Sequence, residues 1–132
     1  VSNQYETVFI LTPVLSEDQA KEAVGKFRKI LKDLGAHILH EESWGLRKSA
    51  GASPQKATGY YQLFEYEAGT QTAVAQLELS FKRDERVLRF MTVRLDRHAL
   101  SSGDRTSRRE ELVRRISESG GDERSPSEES SQ

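Results

Sequence analysis

Two stretches of helical periodicity, each held between segments of strand character, constrain this chain more than any other feature. In the first, residues 17–34, Ala20, Ala23, Val24, Phe27, Ile30, Leu31 and Leu34 recur at helical spacing. Ser16 with Gln19 makes a capping box at its start, and Gly35 supplies the left-handed residue that ends it. The second, residues 70–81, carries Ala73, Val74, Leu77 and Phe81 on one face, with Lys82-Arg83-Asp84-Glu85-Arg86 as the turn beyond. Around them lie four strand-like runs. Residues 5–11 are rich in aromatic and β-branched side chains and are stopped by Pro13; the others span approximately 36–47, 58–67 and 87–95.

The order β-α-β-β-α-β predicts an α+β, ferredoxin-like fold: two interleaved right-handed β-α-β units, giving a four-stranded antiparallel sheet with both helices on one face. The first and third strands are then central, the second and fourth are edges, and the other face of the sheet is expected to have no cover. The first run itself has apolar side chains on both faces, which points to something covering each side. In the third run Tyr60, Phe64 and Tyr66 share one face and Tyr61 and Leu63 the other, with the inward face left open by the sequence.

Composition changes near residue 100. Fourteen of the 20 Lys+Arg, 13 of the 21 Asp+Glu and nearly all large apolar residues precede Ser101. Beyond it only Leu112, Val113 and Ile116 are large and apolar. The expected organisation is a domain over 1–100 and a charged, largely disordered tail over 101–132, with a short arginine-rich helix over 104–116 if it docks. Such a tail is expected to be dispensable for folding, because three apolar side chains do not offset backbone ordering at about 1 kcal/mol or more per residue.

The overall charge is nearly balanced, so any RNA contact has to come from local patches rather than from nonspecific attraction. One such patch is 82–97, where Lys82, Arg83, Arg86, Arg89, Arg94 and Arg97 outnumber Asp84, Glu85 and Asp96. The ordinary reading is a solvated, internally paired face; the functional one is a surface toward RNA. There is no cysteine, which excludes disulfides and thiolate chemistry. His37 and His40, three apart on a strand, are expected on opposite faces and not as a metal pair. No nucleophile elbow or phosphate-cradling loop is present, and no catalytic site, metal or cofactor is expected. No apolar run suits a leader or membrane span, and the simplest address is the cytoplasm.

Five motifs in order carry a resemblance: Tyr5-Glu6, Gly35-Ala36, Trp44-Gly45-Leu46-Arg47-Lys48, Thr58-Gly59-Tyr60-Tyr61, and Arg83-Asp84-Glu85-Arg86-Val87-Leu88-Arg89-Phe90. Over residues 4–100 the chain resembles bacterial small-subunit ribosomal protein six. The resemblance implies a non-catalytic protein of the small ribosomal subunit that pairs with small-subunit ribosomal protein eighteen and binds the central domain of the small-subunit ribosomal RNA. It also implies that Trp44, Gly45, Arg47 and Lys48 form an interaction edge, with apolar contact, close backbone approach and charge in turn. The candidate RNA- or partner-binding residues are Trp44, Arg47, Lys48, Lys56, Tyr61, Arg83, Arg86, Arg89, Arg94 and Arg97. Trp44 also fits a packed position on a half-buried strand.

The chain departs from the family after Lys48. The family usually has a Leu-Ala-Tyr-Pro-Ile type of run there, and this chain reads Ser49-Ala50-Gly51-Ala52-Ser53-Pro54. The alternative reading is an autonomous single-strand RNA-binding module, since Lys56-Ala57-Thr58-Gly59-Tyr60-Tyr61 faintly resembles the third-strand motif of RNA recognition domains.

Overall fold

Alternation along the first strand sets the layers. A computed structural model describes residues 3–48, 58–95 and 105–118. Within β1 (Asn3–Leu11), Tyr5, Phe9 and Leu11 point to one face of the sheet and Val8 and Ile10 to the other, and all five are buried. The remaining elements are α1 (Glu17–Asp33), β2 (His37–Lys48), β3 (Thr58–Ala68), α2 (Thr72–Arg83), β4 (Val87–Leu95) and α3 (Arg105–Glu118). The strands form one antiparallel sheet in the order β2-β3-β1-β4, with β1 and β3 central as expected.

The helix signals act locally as read. Ser16 Oγ accepts from the Gln19 amide at 3.1 Å and the Ser16 amide donates to Gln19 Oε1 at 2.8 Å, so two otherwise unpaired amides at the start of α1 are satisfied. Past its end Gly35 has φ of +85°. α2 begins at Thr72, two residues after the expected start, and Thr70 Oγ1 accepts from the Thr72 amide just ahead of it. It runs on through Lys82 and Arg83, whose charges suit the negative end of the helix dipole, and stops at Asp84.

α1 and α2 cover one face. Phe9 lies at the centre of that core, its ring centroid 5.4 Å from Phe27, 5.5 Å from Phe64 and 4.8 Å from Phe81. Tyr60, Phe64 and Tyr66 belong to this face and Tyr61 and Leu63 to the other, so the alternation holds and its direction is settled. The Tyr66 hydroxyl lies 2.9 Å from Thr7 Oγ1, and burial pushes it up to about 12.

The second face is not bare, and here the expectation from topology is corrected. α3 lies across it, with Leu112 and Ile116 buried against Val8, Ile10, Tyr61 and Leu63, and with Trp44, Leu88, Met91, Val93 and Val113 packed around them. The physical reason is β1 itself: a strand with Val8 and Ile10 on its second face needs cover there. The tail region thus supplies an ordered layer at 105–118, ending two residues beyond the helix expected, and that part is not idle in the fold.

Candidate interaction surface

At β2 the register slips between Ser43 and Gly45, and Gly45 has φ of +70°. An added Cβ would meet nothing within 4 Å, so within this chain the glycine serves backbone conformation at a bulge and not close approach. The bulge places Trp44 on the second face, 6.5 Å from Tyr61. Its indole N–H donates to Glu42 Oε1 at 2.9 Å, and the Arg47 guanidinium stands 5.8 Å from its ring centroid. Trp44 is half-buried and therefore both packed and reachable. A second slip, between Ile38 and His40, breaks the strict alternation that would separate His37 from His40. His40 Nε2 lies 2.8 Å from Glu42 Oε2, and no group of three or more metal-ligating side chains occurs among the described residues.

On the other side of β2, Leu46 is 57% exposed opposite Tyr60. A groove of about 560 Å³ opens beside it, between the start of α1 and the outer half of β2, lined by Leu11, Ala20, Val24, Arg28, Glu41 and Tyr60 among others. Arg28 holds Glu41 through two bonds of 2.8 and 2.9 Å, which fixes the rim of the groove. The outer edge of β2 pairs with no strand among the described residues, so this end of the sheet combines an open strand edge, apolar side chains and cations.

The candidate cations fall into distinct settings. Arg47 is exposed, and Lys48 stands at the same end of the sheet, its Cα paired with that of Thr58. Arg83 is exposed at the end of α2, near the start of β4. Arg86 grips Asp84 through Nε at 2.9 Å and Nη2 at 2.8 Å, while Lys26 reaches the same carboxylate at 3.0 Å. The Arg86 hydrogen bonds, aided by Lys26, hold the Asp84 carboxyl well below its ordinary range. Arg89 is buried and donates to the carbonyls of Ile116 and Ser117 at 2.8 and 2.7 Å, so it closes the C-terminal end of α3. Arg94 is exposed at the far end of the sheet and donates to Asn3 Oδ1 at 3.0 Å. Tyr61 is buried beneath α3, its hydroxyl 3.3 Å from Ser117 Oγ, and Tyr60 donates to the Leu15 carbonyl at 2.8 Å. Neither ring is presented for base stacking, which removes the support for an RNA recognition motif on this sheet. Lys56, Arg97 and the loop 49–54 lie outside the described residues.

The sequence reading missed a set of charges on the second face. Glu6 is fully buried on β1, its Cα paired with that of Glu65 on β3, and Glu42 lies nearby on β2. α3 meets them with cations: Arg108 Nη2 is 3.2 Å from Glu6 Oε2 and Arg109 Nη2 is 2.6 Å from Glu42 Oε2. The signal was present, since a glutamate inside a buried strand calls for a cation and the only arginine pair followed four residues on by an apolar stripe is Arg108-Arg109.

Residues 4–94 match the protein family described as Ribosomal protein S6. The chain belongs to the ribosomal protein S6 family. The small ribosomal subunit protein bS6 of Bacteroides fragilis is 59% identical over 97 residues, covering 74% of this chain and 84% of that protein. The bS6 of Flavobacterium johnsoniae is 50% identical over 103 residues, 78% of this chain and 90% of that protein. The crystal structure of 30S ribosomal protein S6 from Thermotoga maritima aligns with a TM-score of 0.67 at 23% identity, over 82% of this chain and 99% of that one, and shares the fold. The S6 motif at Thr58-Gly59-Tyr60 acquires a packing reason: a Cβ on Gly59 would stand 2.2 Å from the Leu11 carbonyl oxygen and 2.7 Å from Ile10 Cγ2. S6 is a small-subunit ribosomal protein, and this chain is one of its family.

Proposed function

We propose that this chain is a non-catalytic, cytoplasmic component of the small ribosomal subunit that binds the central domain of the small-subunit ribosomal RNA together with small-subunit ribosomal protein eighteen. The observation that carries the reading is the family membership combined with one end of the sheet, where the open edge of β2 carries Trp44, Leu46, Arg47 and Lys48 and its Ser43 and Gly45 line the groove against α1. The edge takes the protein partner. Arg47 and Arg83, at opposite edges of that same end, then face phosphate. Because cations and carboxylates are nearly equal in number, one copy alone has little electrostatic attraction to RNA, and the pair is needed to offset the cost of ordering.

Filter binding of a central-domain RNA fragment to this chain, to the partner and to their mixture tests the proposal. The mixture should bind at least tenfold more tightly than either protein alone. Equal retention by this chain without the partner would overturn it.

A further inference from the structure

The second face of the sheet has the chemistry of a receptor for a helix. Glu6 and Glu42 stand on it as carboxylates, Val8, Ile10 and Tyr61 form an apolar floor, and Arg89 points two donors at the place where a helix ends. α3 answers each element with Arg108, Arg109, Leu112, Ile116 and its last carbonyls. The carboxylates repel phosphate, so this face suits a protein segment and not RNA.

The fit is also incomplete. Glu6 Oε1, Arg108 Nε and Arg109 Nε are buried without a hydrogen-bond partner, so desolvated charge opposes the burial of two aliphatic side chains. Because α3 is joined to β4 in the same chain, its docking is intramolecular and does not need the affinity that a separate helix would need. We propose that α3 is a displaceable cover on a site built to receive a basic amphipathic helix, and that a helix of another protein with two adjacent arginines followed by two aliphatic residues takes its place. The second face is closed to that partner while α3 is docked.

Trp44 reports the state of the site, because its indole bonds Glu42, which also holds Arg109. In the full chain carrying Leu112→Asp and Ile116→Asp, Trp44 emission should shift to the red. The peptide RTSRREELVRRISE, residues 105–118, should reverse at least half of that shift. A fluorescein-labelled copy should half-saturate the variant at a concentration at least tenfold lower than it needs for the wild-type chain. A variant with wild-type emission, a shift that millimolar peptide leaves in place, or equal half-saturation of both chains would each overturn the proposal. So would equal binding of a peptide bearing Arg108→Glu and Arg109→Glu. Should the double variant lose its sheet by circular dichroism, Leu112→Ala in the full chain takes its place, with the same labelled-peptide comparison deciding.

Discussion

Asp84 draws two cations, from α1 and from the turn before β4, onto one carboxylate. It ties α1 to the turn between α2 and β4 through Lys26 and Arg86. Its folded carboxyl is held below the ordinary value, chiefly by the Arg86 bonds, so its contribution is complete above the unfolded value of about 4 and is lost as pH falls toward the folded one. Asp84→Asn should lower the thermal midpoint by several degrees at pH 7, and calorimetry should find the gap to the wild type narrowing steadily below about pH 4. A gap that stays constant down to pH 2 would contradict this. Gly59→Ala should cost about 1–3 kcal/mol in urea unfolding, since the new Cβ meets backbone that cannot give way. Individual cations were the least legible part of the sequence. Arg86 and Arg89 read as surface charge, yet Arg86 is held by a carboxylate two residues back and Arg89 by carbonyls 27 and 28 residues on. A charge count within 82–97 can see the first acceptor and not the second.

Elements were legible where periodicity and capping agree. α1 lies within one residue of its expected bounds because the Ser16 box and Gly35 fix both ends, and β4 begins and ends at the expected residues. α3 is a different case: its stability comes from a surface assembled from all four strands, so its own composition understates it. The two-sided apolar pattern of β1 was the better guide than the topology, which left the second face empty. Truncation after Leu100, expected from composition to be neutral, should instead lower the thermal midpoint, because Leu112 at 2% and Ile116 at 0% exposure leave the sheet face to water. Leu112→Ala in the full chain should cost about 2 kcal/mol or more. Removal of 119–132 should change neither value. Equal midpoints for the full chain and the chain ending at Leu100 would show that α3 adds nothing to the fold.

At the scale of the whole molecule, charge is sorted although the total is nearly zero. Carboxylates Glu6 and Glu42 lie on the second face, and Arg47, Lys48 and Arg83 lie at the end of the sheet where β2 and α2 finish. Arg94 stands at the opposite end, its Cα paired with that of Tyr5. If RNA meets the first end, Arg47 and Arg83 must differ in function from Arg94 while resembling it in exposure. Arg47→Glu with Arg83→Glu should therefore weaken RNA binding by the mixture of this chain and its partner at least tenfold at low salt. The same pair should flatten the dependence of log affinity on log salt by about 0.7–0.9 for each phosphate no longer neutralised. Because both side chains are exposed, the thermal midpoint should move little, which separates a binding defect from an unfolding one. Arg94→Glu is the control: it carries the same charge change per substituted arginine and breaks a surface bond to Asn3, yet should leave both affinity and salt slope within twofold of the wild type. Equal effects from both sets would mean that the attraction is diffuse, and a weakening from Arg94→Glu alone would put the RNA at the other end of the sheet.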